Sequence, residues 1–173
     1  SMAPGGYAWM FPKQGGANIG VGIQNKFAKD RSLNLFADEF IGRYGEDITF
    51  RGAGSLPMSG TIDCFVKENH LLVGDSAGMV LPSNGAGITI AMIGGRIAGK
   101  AIVSYFENDA SLHEYEVEWK RQMGAVMRNS KRSFRIGSWI MRLPDWIVNL
   151  AFNPLTKPFV WRFVTCRKPF IIF

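Results

Sequence analysis

Two cysteines, two histidines and, across residues 119–173, a single acidic residue make this 173-residue chain poor in metal ligands and hydrolytic groups. Cys64 and Cys166 lie far apart with no CxxC spacing. That excludes a sequence-evident zinc or iron–sulfur site and a disulfide framework, and the pair reads as free thiols of a reducing cytoplasm. His70 reads as structural, and His113, beside Glu114 and Glu116, as solvated. No Ser/His/Asp constellation and no metal-ligand spacing appears, so hydrolysis and metal catalysis find no support. No signal peptide is visible, and Ser1-Met2-Ala3 reads as an expression scar. The one uncharged stretch of bilayer length, Ser76–Gly95, is interrupted by Pro82, Ser83, Asn84 and several glycines, and Arg96 and Lys100 follow it. It reads as a buried loop and helix.

What is present describes a folded protein. Hydrophobic residues make up 47% and charged residues 20%, enough for one proper core or two small ones. The net charge of +6 is unevenly spread. Residues 1–118 hold 9 Lys/Arg against 13 Asp/Glu, a net of −4, whereas residues 119–173 hold 11 against Asp145 alone, a net of +10. Trp119, Trp139, Trp146 and Trp161, four of the five tryptophans, fall in that basic region. Tryptophan interleaved with arginine and lysine over Ile136–Phe173 suits a surface that meets anionic lipid, with packing onto the catalytic body as the plainer account. No nucleic-acid recognition motif accompanies the charge.

Along the chain, Tyr7, Trp9 and Phe11 alternate with Ala8 and Met10, which places three rings on one face of a short strand. After a Lys13-Gln14-Gly15-Gly16 turn, Ala17, Ile19, Val21 and Ile23 share one face of a second strand and Gly20 and Gly22 the other. Glycine weakens a strand, so two on one face predict a close approach there. Ser32 caps a predicted helix running to about Tyr44, with Gly45 ending it. Short strands are expected near Ile48–Phe50, at Ile62–Val66 and at His70–Val73, the last two flanking a Lys67-Glu68-Asn69 turn. A small-residue helix runs from Ile88 to about Phe106, and from Ser111 the chain reads as helical to its end, punctuated by prolines.

The stretch richest in chemistry is Gly74-Asp75-Ser76-Ala77-Gly78, followed by Pro82, Gly85 and Gly87 and then the Ile88 helix. An acid after a buried strand, then a glycine-rich loop opening a helix, can hold the polyol and ring edge of a flavin. The carboxylate accepts hydrogen bonds from hydroxyls, glycines admit bare backbone, and the helix N-terminus faces negative charge.

Two motifs occur together. Pro4-Gly5-Gly6-Tyr7-Ala8-Trp9-Met10-Phe11-Pro12 fits P-x-x-Y-x-W-x-F-P, and Gly74-Asp75-Ser76-Ala77 through Pro82, Gly85 and Gly87 fits G-D-x-A with a later P-x-x-G-x-G. The combination resembles the geranylgeranyl reductase family of flavoproteins, over roughly residues 4–106. The aromatic motif is specific to that family; the GD motif also marks aromatic hydroxylases, halogenases and electron-transfer flavoprotein dehydrogenases. The resemblance implies FAD contact through Gly74, Asp75, Pro82, Gly85, Ala86, Gly87 and Ile88. It implies a prenyl-chain cavity lined by Tyr7, Trp9, Phe11, Pro12, Gly20 and Gly22. It names no catalytic residue. Such flavoproteins open with a strand–GxGxxG–helix unit for the ADP half of FAD. That unit is missing here, so the chain is expected to be the C-terminal part of a larger enzyme and inactive alone.

The expected fold is α+β. A substrate-binding β-sheet segment spans residues 1–61, the last strand and helix of a Rossmann-like FAD-binding domain span 62–108, and a helical C-terminal region spans 109–173. The expected function is FAD-dependent saturation of C=C bonds in the geranylgeranyl chains of archaeal membrane lipids. A flavin monooxygenase and a non-enzymatic lipid-binding module are the alternatives. The expected location is cytoplasmic, peripheral on the inner face of the membrane. The expected partners are a prenylated lipid and an anionic surface, with no nucleic acid.

Overall fold

The computed structural model describes residues 2–28, 30–45, 47–140 and 142–144, together with Pro158, Trp161 and Thr165. Most of the basic tail, including Trp146 and Cys166, lies outside the described residues, as does the helix expected there. Among the described residues, small antiparallel hairpins and the helices that follow them give an α+β composition. The chain divides into two units, residues 1–53 and 54–173.

In the first unit, β1 (Tyr7–Lys13) and β2 (Gly16–Gly22) form an antiparallel hairpin. Its register sets Tyr7 opposite Gly22, Trp9 opposite Gly20 and Phe11 opposite Asn18. Because directly opposed residues share a face, the three rings and the two glycines lie on one side of the ribbon. The other side carries Ala8, Ile19 and Val21 into a small core completed by Ala28, Phe36 and Phe40. The two phenylalanines come from α1 (Leu33–Ile41), where their four-residue spacing puts both on the face turned to the sheet.

Three expectations need correcting in this unit. Helix α1 ends at Ile41 with Gly42 as its cap, before Tyr44, because the Arg43 and Tyr44 amides bond three residues back, to Phe40 and Ile41, and tighten the chain into a turn. Ser32 has the extended backbone of a cap but makes no side-chain cap bond. Ile48–Phe50 is not a strand: among the described residues no strand pairs with it, and Phe50 is 85% exposed.

The second unit is built on two long helices, α2 (Ile88–Asn108) and α3 (Glu114–Ile140). Ile90, Ile97, Ala98 and Ala101 of α2 meet Tyr115, Trp119, Met123 and Met127 of α3 in one core, closed by Phe65, Val66 and Met79. Tyr115 is fully buried, stands edge-on to Phe65 at 5.1 Å, and donates its hydroxyl proton to the Leu72 carbonyl at 3.1 Å. Burial pushes its pKa up to about 12.

The strands expected at Ile62–Val66 and His70–Val73 shrink to a hairpin of two residues each, β3 (Val66–Lys67) and β4 (His70–Leu71). The Phe65 carbonyl accepts from Leu72 N–H at 2.9 Å, but the Phe65 and Val66 amides donate to Glu116 Oε1, at 2.6 and 2.9 Å. Burial acts to raise the Glu116 pKa, yet those two amides, with the charges of Lys120 and His113, outweigh it and hold the carboxyl below its usual range. His113 is exposed, its ring nitrogen 3.9 Å from the same carboxylate.

Helix α2 is long and apolar enough to cross a membrane by length and composition. One of its faces, however, packs into the core just described. The opposite row, Ile88, Met92, Gly95, Gly99, Val103 and Phe106, is exposed. The paired glycines answer to different causes. A Cβ on Gly94 would stand 2.8 Å from Met79 Sδ, whereas one on Gly95 would meet nothing within 4 Å.

Candidate functional site

The aromatic face of the hairpin holds one group of predicted residues. Tyr7 and Trp9 stand 5.7 Å apart and Trp9 and Phe11 6.5 Å apart between ring centroids, the second pair stacked. Tyr7 and Phe11 are more than half exposed. The Trp9 indole lies across Gly20, where any side chain would overlap it, and its Nε1 donates to Asn18 Oδ1 at 3.1 Å. The close approach predicted at the glycine pair is thus made by a ring of the same hairpin. Gly22 is less crowded, with Trp9 3.8 Å from the position of a Cβ. Pro12, opposite Ala17, is exposed. The result is a row of three aromatic surfaces backed by small residues, suited to lie along an extended hydrocarbon.

The second group lies at the head of α2. Residues Gly74–Ala77 form a single 3₁₀ turn, held by Gly78 N–H to the Asp75 carbonyl and Met79 N–H to the Gly74 carbonyl, both at 2.9 Å. Gly78 takes a left-handed backbone at φ +65° against the Gly60 carbonyl, so a glycine is required there. The expectation of an acid closing a buried strand is corrected, since β4 ends at Leu71 and Leu72 and Val73 intervene. The helix opens at Ile88, where it was expected.

Between turn and helix, Pro82 is fully buried. Gly85 N–H donates to the Leu81 carbonyl at 2.8 Å, and Leu81 N–H donates to the Ala86 carbonyl at 3.0 Å. The loop thereby folds back on itself and brings Gly87 beside Asp75: a Cβ on Gly87 would stand 3.5 Å from Asp75 Oδ1. Asp75 is exposed, and no side chain caps α2. The amides of Ile88, Thr89 and Ile90 lack an i−4 partner within the helix, so a positive helix end stands beside a carboxylate and a small-residue loop. Ile88 is 83% exposed at that end. Gly74, Asp75, Pro82, Gly85, Ala86, Gly87 and Ile88 are all brought to this one region.

Sequence reasoning missed what braces the loop. Asn84 Oδ1 accepts from Ala86 N–H at 3.0 Å, and Ser130 Oγ of α3 accepts from Ser83 N–H at 3.0 Å. An asparagine between proline and glycine is a turn signal and was readable. Ser130, 47 residues away, was not. Among the described residues no group of three or more His, Cys, Asp or Glu could hold a metal ion.

Comparison with known proteins bears on both regions. Residues 1–53, the whole first unit, match the family model of the geranylgeranyl reductase catalytic domain. Over that unit the chain is similar to the geranylgeranyl reductase family. It is 36% identical over 149 residues to digeranylgeranylglycerophospholipid reductase 2 of Methanothermobacter thermautotrophicus, which covers 83% of this chain and 38% of that protein. It is 40% identical over 168 residues to digeranylgeranylglycerophospholipid reductase 3 of Methanosphaera stadtmanae, covering 91% of this chain and 42% of that one. A crystal structure of a geranylgeranyl bacteriochlorophyll reductase-like protein from Thermoplasma acidophilum superposes with a TM-score of 0.77 at 26% identity, covering 91% of this chain and 41% of that one. The chain therefore spans about two fifths of the length of these relatives.

Proposed function

We propose that this chain is part of a longer FAD-dependent reductase that saturates C=C bonds in the geranylgeranyl chains of glycerophospholipids. The observation that carries the reading is the coincidence of the family match with the unit that bears the Tyr7, Trp9 and Phe11 row. That the relatives are named for a digeranylgeranylated glycerophospholipid supports the substrate class.

The head of α2 fits a flavin by its donor set: open first-turn amides, an exposed carboxylate beside them, and a loop whose glycines admit backbone contact. Asp75 would accept hydrogen bonds from ribityl hydroxyls. Gly85, Ala86, Gly87 and Ile88 would border the ring, Pro82 would shape the loop above it, and Gly74 would let the Asp75 turn form. When bound, reduced flavin supplies hydride to one carbon of the double bond, and a proton completes the other. Tyr7, Trp9, Phe11, Pro12 and the Gly20/Gly22 strand would wall the isoprenoid tail, fix its path and keep water out.

The adenine half of the cofactor falls to a GxGxxG unit in the remainder of the longer protein, and the present chain alone is inactive. The exposed apolar row along α2 is consistent with a further segment packing there. The protein works in the cytoplasm, on lipid presented at the inner face of the membrane.

The test is flavin content and turnover of the longer protein. A yellow protein that, once reduced, adds hydrogen to digeranylgeranylglycerophospholipid, read as a mass gain of the lipid, is expected. A colourless protein, or one that consumes oxygen with NAD(P)H and leaves the chains unsaturated, overturns the reading.

A further inference from the structure

Helix α3 has two opposite faces of unlike chemistry. Tyr115, Trp119, Met123, Met127, Ser130 and Ser133 are buried. Arg128, Arg132, Arg135 and Trp139, spaced by four, three and four residues, line the other side and are all exposed. The row runs about 16 Å along the helix at 1.5 Å per residue. Every acid of α3 (Glu114, Glu116 and Glu118) lies in its first two turns, and none follows before Asp145. Among the described residues the three arginines enter no ion pair. Trp139 is 62% and Ile136 39% exposed beside them, an apolar edge at the end of a cationic row.

A cationic row that merely kept the protein soluble would be interspersed with acids and would not end on a bare indole. We infer that this face docks on an anionic phospholipid surface, the arginines meeting headgroup phosphates and Trp139 entering the headgroup layer. Guanidinium binds phosphate in two-pronged fashion, and indole is the side chain most at home where an apolar body must end in a wet layer. A nucleic acid would satisfy the arginines equally, but Trp139 and Ile136 at the edge favour lipid. The choice of lipid over nucleic acid also rests on the lipid-reductase reading. The orientation is functional: a protein seated by this face meets its water-insoluble substrate where that substrate resides.

The experiment is co-sedimentation of the 173-residue chain with phosphatidylcholine vesicles, with and without phosphatidylglycerol. Binding to the anionic vesicles that weakens as salt rises is expected. The triple variant R128Q/R132Q/R135Q should bind roughly tenfold or more weakly, with an unchanged circular dichroism spectrum. W139A, which keeps every charge, should weaken binding and leave the salt dependence as it was. Equal binding to neutral vesicles, a triple variant that sediments like the parent, or tighter binding to a single-stranded oligonucleotide than to anionic vesicles at the same salt would each overturn the inference. Sedimentation is read without flavin, so failure of the reductase reading and failure of docking are separately visible.

Discussion

The indole of Trp9 lies across Gly20 on the paired strand, occupying the space a side chain at position 20 would need. A Gly20→Val substitution must therefore expel the indole or bend the hairpin. We expect a loss of about 1–3 kcal/mol in the first unit, the usual result of overpacking. Gly16→Ala, at a site with nothing within 4 Å, should stay within about 0.5 kcal/mol. Urea denaturation followed by tryptophan fluorescence separates the two, and equal effects would remove the indole from that position.

Glu116 provides a test by pH. Its folded-state carboxyl lies below the usual range, with the Phe65 and Val66 amides as the stabilising donors, so the unfolded chain takes up a proton first as pH falls. The stability it contributes is fully present above the ordinary value of 4.5 and is lost as pH drops through the lowered one. Glu116→Ala should cost about 1–3 kcal/mol at neutral pH by stranding two amides, and should flatten the acid limb of the stability profile. A parent and variant with parallel acid limbs would show that the clamp is not ionised.

The adjacent glycines of α2 should respond with opposite sign. Gly94→Ala places a methyl 2.8 Å from Met79 Sδ and 3.5 Å from Trp119, and overpacking of this kind costs about 1–3 kcal/mol. Gly95→Ala meets open space and should stabilise by up to about 1 kcal/mol through helix propensity alone. Thermal melts of the two variants give the comparison directly, and a stabilised Gly94→Ala would contradict the packing.

Asp75 is exposed, so Asp75→Asn should leave the melting temperature unchanged. In the longer protein it should weaken FAD binding by about 10- to 100-fold, the range for a hydrogen bond to a charged acceptor. Titration followed by flavin fluorescence reports it. Unchanged affinity would move the ribityl contact elsewhere.

The features legible in the sequence were those with a local cause. Period-two alternation disclosed the ring row of β1, and the small-residue run disclosed α2. What escaped depends on residues distant in the chain. Glu116 reaches back 51 residues to take the Phe65 amide, a donor that β3 lengthened through Phe65 would have used toward β4. Ile48–Phe50 has strand-forming side chains but no partner strand among the described residues, and a strand without a partner cannot satisfy its backbone. Gly20 was correctly read as a place of close approach, yet spacing could not say that Trp9 would be the visitor.

Ser130 accepts the Ser83 amide and its hydroxyl stands 3.0 Å from that of Ser83, joining the loop at the head of α2 to the middle of α3. The same helix carries the arginine row on its outer side. With the arginine row seated on lipid as inferred above, this rod would act as a gauge, setting how far the loop stands from the lipid headgroups. How far along a prenyl chain reduction reaches would then be a question of ruler length, set by the diameter of α3 and the reach of one serine.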